Sequence, residues 1–279
     1  MQANAFILLL VAVFSLIACE KTVILDISQN QPRVIIEGQV TNQPGYQYVK
    51  VTRSSGFYET GASPRVENAS IFVSDDAGNT YDFIHNPGGD ADSAGYYRPA
   101  NPFVGTVGRA YHLSVQVDEQ LYEANDLLTP VTKIDSLSSQ INEDEQDDPD
   151  KVGKFYEVLM FAKEPQNTTD YYLFKFYRND SLTFDFDTDI YYADDELLGE
   201  NIDGVPSPVF YAPGDLARVE MYSISREAYV FYNDLQQLLN NDGGLFGQPP
   251  SNSRSNLTNG ALGYFQASAL NMKEIVVKE

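Results

Sequence analysis

The sequence predicts a mainly β protein, with a β-sandwich over residues 33–128 followed by a second mostly-β domain over 129–279 that carries one amphipathic helix near 225–241. Three observations predict it. Tyr and Phe number 19 and 16 while Trp is absent, and enrichment in aromatic and β-branched residues with frequent Gly and Pro favours strands over helices. Short segments alternate apolar and polar residues between turn-forming Gly, Asn, Asp and Pro, at the spacing of a sandwich. Only one stretch repeats its apolar residues at helical spacing.

In the first domain, RVIIEGQV (33–40) alternates as a strand, and Gly45 separates it from YQYVKVTR (46–53). NASIFVSD (68–75) and TYDFIH (80–85) flank the turn DAGN (76–79), where Gly78 and Asn79 tolerate positive φ, so the pair reads as a hairpin. GYYRP, RAYHLSVQV (109–117) and QLYEAND (120–126) complete about seven strands, the last two joined at Asp118-Glu119.

The rhythm changes at Thr129-Pro130. KIDSLSSQI leads into NEDEQDDPD (142–150), a run of like charge that reads as solvated. GKFYEVLMFAKE (153–164), TDYYLFKFYRND (169–180) and LARVEMYSIS (216–225) alternate as longer strands. In SREAYVFYNDLQQLLNN (225–241), Ser225 is placed to cap, and Ala228, Phe231, Tyr232, Leu235, Leu238 and Leu239 fall on one helical face. Asn241 and the glycines after it stop the helix. ALGYFQAS and MKEIVVK close the chain as strands of the second domain.

Ahead of this body runs AFILLLVAVFSLIA, fourteen residues without a charge. That is short of the about 20 apolar residues that span a bilayer and fits the apolar core of a secretory signal. It ends at Leu16-Ile17-Ala18-Cys19, which resembles the bacterial lipobox: Leu at −3, a small residue at −1, Cys at +1. The resemblance implies a signal peptide over 1–18, acylation of Cys19 with palmitate-like chains, and a lipid-anchored tether over 19–32. Each buried methylene adds about 0.8 kcal/mol, and two or more chains anchor stably. The first residues carry no Lys or Arg, a departure from the usual signal. The plain alternative is that Cys19 is a buried thiol of a first strand. Against it, the apolar run stops at the cysteine and polar sequence follows. Cys19 is also the only cysteine, as suits an oxidising envelope where a spare thiol invites stray disulfides. Glu20-Lys21-Thr22 does not select a periplasmic or surface face.

Asp and Glu number 40 against 18 Lys and Arg, for a net charge of −22. Such a surface repels phosphate backbones, so nucleic acid is not an expected partner, and it disfavours close contact with anionic headgroups. Tethering through lipid suits that charge.

Catalytic signals are sparse. The two histidines, His85 and His112, both fall in strands, where packing or edge roles are the common ones, and no Gly-x-Ser-x-Gly elbow accompanies them. One cysteine and two histidines do not make a zinc site, and no phosphate-binding loop or dinucleotide fingerprint occurs. Asp90 to Gly95 has the first, third and sixth positions of a calcium loop but lacks the bidentate Glu, since position 12 is Asn101. The best metal candidate is the stretch 185–196. Asp185, Asp187 and Asp189 would share one face if the segment is extended, with Asp194-Asp195-Glu196 close behind. This set suits Ca²⁺ or a glycosidase carboxylate pair. The competing and favoured reading is a solvated edge whose charge prevents sheet-to-sheet association. The pairs Tyr96-Tyr97, Tyr171-Tyr172 and Tyr191-Tyr192 each expose one ring at most, because neighbours on a strand point to opposite sides.

The order VIIEGQVTN, YVKVTRSSGFYE, VENASIFVSDDAGNTY, GYYRP, GRAYHLSV, KIDSL, and later YYADDELLGENI and SNLTNGALGYFQAS, resembles the Bacteroidota lipoproteins grouped as domain of unknown function 4249. The N-terminal half is also similar to the immunoglobulin/prealbumin-like carboxypeptidase regulatory sandwich, with Asn68-Ala69-Ser70-Ile71 in place of its Gly-Ala-x-Val. The resemblance implies a non-catalytic outer-membrane lipoprotein, an accessory or ligand-binding subunit of a TonB-dependent receptor. The alternatives are an envelope glycan hydrolase using the acids of 185–196, or a structural or adhesive surface protein. Fold likeness by itself supplies no function.

Overall fold

The computed structural model describes residues 32–55, 61–146, 152–165, 168–195, 201–241 and 252–279. The signal peptide expected over 1–18, the lipobox Leu16-Ile17-Ala18, Cys19 and all of the 19–32 tether but Pro32 lie outside the described residues. The protein is mainly β, as expected.

The first lobe is one eight-stranded sheet. Its strands are β1 (Val34–Thr41), β2 (Tyr48–Arg53), β3 (Ser70–Asp75), β4 (Thr80–His85), β5 (Tyr96–Pro99), β6 (Ala110–Val117), β7 (Gln120–Leu127) and β15 (Leu262–Ser268), in the order β15-β1-β2-β5-β4-β3-β6-β7. Alternation decides which side is dry: Ile36 and Val40, Val49 and Val51, Ile71 and Val73, Leu113 and Val115 all bury inward with Phe265. The sheet curls until its two edges meet. Ala267 N donates to Asp126 Oδ2 at 2.9 Å, and Thr258 N to Glu123 O at 2.9 Å. The expected hairpin is present at 75–80, where Gly78 takes φ +86° and Asp75 Oδ1 accepts from Ala77 N and Asn79 N, each at 3.0 Å.

The second lobe stacks two sheets. One is three-stranded, β13 (Ile202–Pro206)-β9 (Tyr156–Ala162)-β8 (Ile134–Ile141). The other runs β11 (Ser181–Thr183)-β10 (Tyr171–Arg178)-β14 (Leu216–Ile224)-β16 (Leu270–Val276), with β12 (Tyr191–Asp194) also paired to β10. Val158 and Met160 face Tyr172, Phe174, Phe176, Val219 and Met221 in the core between them. The helix α1 (Arg226–Leu239) starts where expected: Ser225 is extended (φ −68°, ψ 159°) and its Oγ accepts from Ala228 N at 3.3 Å. Its buried Ala228 and Phe231 pack with Leu173, Tyr222, Ile224 and Tyr264.

The expected division at 128/129 needs correction at the C-terminus. β15, read from sequence as a strand of the second domain, pairs in parallel with β1 of the first lobe, Ile36 against Gly263 and Gln39 against Gln266. One residue later the same chain enters the second lobe as β16, paired to β14. At the passage, Ser223 N donates to Ala269 O at 2.9 Å, Ala269 N to Ser223 Oγ at 3.1 Å, and Ser223 Oγ to Thr129 O at 2.6 Å. Residues Pro32–Glu279 accordingly form one compact unit.

The close approach of β15 to β1 requires glycine at 263. Its φ is +92°, and a Cβ there would lie 2.2 Å from Ile36 O. Gly78 has a similar φ of +86° but open space around it. Gly263→Ala is therefore expected to lower the unfolding free energy by about 3 kcal/mol or more, from positive φ and the backbone clash together. Gly78→Ala should cost about 1–2 kcal/mol, from φ alone. Equal losses in urea titrations would contradict this account of the β1–β15 join.

Asp126, which closes the two edges, has its carboxyl pushed up to about 6 by burial, against the partial relief of the Ala267 N–H, Ser225 and Leu127 hydrogen bonds. A folded-state value above the unfolded one means the acid form is favoured on folding. The resulting stability is full below about pH 4 and is lost as pH rises through about 6. Wild type should lose on the order of 2–3 kcal/mol across that window relative to Asp126→Asn. Parallel stability–pH curves for the two proteins would count against it.

Candidate functional site

Where the two sheets of the second lobe diverge, a cleft of about 240 Å³ opens. Four strands build it. β9 contributes Val158 and Met160, β10 contributes Phe174 and Phe176, β12 contributes Tyr191, Tyr192 and Ala193, and β13 with the turn after it contributes Val205, Pro206 and Pro208. Alternation aims Phe174 and Phe176 off the same face of β10. Ile190 adds to the lining, which holds no Lys or Arg among the described residues. A bulge between Asp203 and Val205 shifts the register of β13 against β9, and the pairing then continues through Pro206 to Ser207, whose N donates to Val158 O at 2.8 Å.

Tyr191 joins the cleft to the surface. Its ring stands edge-on to Phe176 at 5.4 Å and stacks on Phe184 at 6.4 Å. Its hydroxyl accepts from Asp185 N at 2.8 Å and donates to Asp189 Oδ2 at 3.1 Å. Burial, with the Asp189 carboxylate adding to it, pushes the phenol up to about 12, so it is a neutral donor at any physiological pH. Beyond it, Leu182, Phe184 and Phe186 are exposed to 43%, 41% and 68%.

The acidic stretch does not adopt the extended form expected of it. Residues 184–190 form a turn: Asp189 N donates to Phe186 O at 2.9 Å, and Asp189 Oδ2 takes Phe186 N back at 3.0 Å. The alternation Asp-Phe-Asp-Thr-Asp imitates a strand, but a short carboxylate bonding to nearby backbone offers the chain a turn instead. Asp185, Asp187 and Asp189 therefore do not share a strand face. Asp194 Oδ2 accepts from Tyr229 OH at 3.3 Å, and Asp195 Oδ2 from Asp170 N at 3.3 Å. Glu196 lies outside the described residues. Among the described residues no group of three or more His, Cys, Asp and Glu is placed to hold a metal ion. Asp90 caps a short turn by accepting from Asp92 N at 3.1 Å.

Both histidines sit in local hydrogen bonds. His85 Nε2 accepts from Gly95 N at 2.9 Å, and His112 Nδ1 meets Asn125 Oδ1 at 2.8 Å. Tyr97 and Tyr172 are buried beside partly exposed Tyr96 and Tyr171, as the strand rule expects. Tyr191 and Tyr192 depart from it, since both border the cleft.

A second cluster, missed in the sequence, lies where β14 faces the first lobe. Glu220 is fully buried and accepts from Tyr46 OH at 2.9 Å and Tyr222 OH at 2.7 Å. Arg218 Nε approaches it at 3.3 Å, and the Arg218 guanidinium lies 4.2 Å from the Tyr177 ring. Lys175 Nζ sits 4.8 Å over the Tyr222 ring, its ammonium pushed down by burial while Glu220 and Glu37 oppose the shift. A Glu in the middle of the apolar strand LARVEMYSI was the available signal, because a carboxylate there must find donors.

Among the described residues no helix is long and apolar enough to cross a membrane. The family model described as a domain of unknown function (DUF4249) matches residues 20–274. No curated protein matches the chain. Among solved structures, one chain of a cytokine receptor complex (crystal form 1A) overlaps 70% of this chain and 86% of its own, at 10% identity and a TM-score of 0.25. A likeness that weak lends support to no fold or function.

Ala193→Leu fills part of the cleft and should raise the unfolding free energy by about 1 kcal/mol, the usual return for cavity filling. In a close-packed wall the same change would cost about 1–3 kcal/mol. Urea unfolding of the two proteins distinguishes the cases by sign.

Proposed function

The chain belongs to the DUF4249 family, and we propose that this member is a non-catalytic outer-membrane lipoprotein, a ligand-binding or accessory subunit of a TonB-dependent receptor system. On this reading acylated Cys19 holds the body to the membrane, and the first lobe, one curled eight-stranded sheet, is a relative of the prealbumin-like domain of Bacteroidota lipoproteins. The observation that carries the binding role is the open, apolar cleft between β12 and β13. A mostly apolar concavity is the usual form of a binding site, and this one is lined by apolar and aromatic side chains from four strands.

The anchor and the partner are tested together in a Bacteroidota host. Radiolabelled palmitate should enter the wild-type protein and not Cys19→Ser. Tagged wild type, solubilised from outer membrane in mild detergent, should co-purify with a receptor barrel. Recovery of an unlabelled protein without a barrel would remove the proposal.

A further inference from the structure

We infer that the cleft between β12 and β13 receives an apolar side chain borne on a positively charged, extended segment of a partner protein. The accessory-subunit reading enters only in taking the partner to be a protein. The cleft itself sets the anchor. Its volume of about 240 Å³ suits one or two large side chains, and Phe174, Phe176, Tyr191 and Tyr192 supply aromatic walls. Pockets of this kind hold the central anchors of protein interfaces, surrounded by contacts that exclude water.

The occupant extends beyond the pocket, because apolar surface continues outside it. Leu182, Phe184 and Phe186 are exposed on the neighbouring turn, and Phe184 is stacked on the same Tyr191 ring that lines the interior. Clustered exposed side chains of this type mark an interaction surface. Charge defines the sign of the partner. The segment 181–189 carries Asp185, Asp187 and Asp189 and no Lys or Arg, no basic residue among those described lines the cleft, and the chain as a whole bears −22. An acidic partner would be repelled, and a basic one steered in.

Because the chain contains no Trp, a tryptophan-bearing peptide reports its own burial against a dark background. The probe is a short peptide with a central Trp between Lys residues, added to soluble mature Cys19→Ser protein. The expected result is a saturable blue shift of the peptide emission that weakens with salt. A Glu-flanked version should bind at least about tenfold more weakly, as should the Lys peptide to Ala193→Leu. The exposed Asp187→Lys, which leaves the core alone, should weaken the Lys peptide and favour the Glu peptide. An unshifted emission, equal affinity for both peptides, or equal binding by uncharged N-acetyltryptophanamide would overturn the inference, the last by showing a small-molecule pocket. Failure here with a receptor barrel still recovered from membranes removes this inference and leaves the accessory role; peptide binding without a barrel removes the role of the receptor and leaves the site.

Discussion

The fold depends on one strand that serves two sheets. Leu262–Ser268 pairs with β1, and Leu270–Val276, a single residue later, pairs with β14. Backbone hydrogen bonds are obligatory for buried chain, so a strand committed to both ladders leaves little freedom at the joint. Ser223 tightens it by bonding to Ala269 and to Thr129, the residue at which the chain first leaves the eight-stranded sheet. The chain thus leaves the first lobe at Thr129 and again at Ala269, side by side, and α1 packs beside the Ala269 passage through Tyr264 and Leu270.

From that joint the two polar and apolar features follow different logic. The junction facing β14 is filled with polar groups gathered on one carboxylate: Glu220 accepts from two phenols, and the Arg218 guanidinium lies beside it. A buried carboxylate so partnered is costly to disturb and fixes a unique arrangement at the interface. On the opposite side of the same sheet, Phe174 and Phe176 face a space that the described residues do not fill. The sheet is closed where it meets the first lobe and open where it meets β13. That polarity is why the proposed binding surface is the cleft and not the charged cluster.

Much of this was legible in the residues. The alternating strands of the first lobe, the hairpin at Gly78 and the Ser225-capped helix all come from local rules, and the structure has them within a residue or two. The short strands β11, β12 and β13 were not visible. IDGVP carries Gly and Pro and has a bulge in its pairing, so no period survives for a sequence rule to detect. The destination of LGYFQAS was also hidden, since parallel pairing with a strand more than two hundred residues away leaves no mark except Gly263. The acidic stretch misled because Asp189 uses its carboxylate on its own turn. The cleft could be read only in part: alternation shows which side chains face inward, but whether two sheets meet is decided by edges distant in sequence.

The account rests on the void between β12 and β13 existing in the free protein. Crystals of the mature chain pressurised with xenon test it most directly, because an apolar cavity of adequate size takes up the gas while a packed wall does not. Xenon density bounded by Phe174, Phe176 and Ala193 is the predicted result. Side chains of Tyr191 and Val205 closed over the space, with no xenon between the sheets, would contradict it.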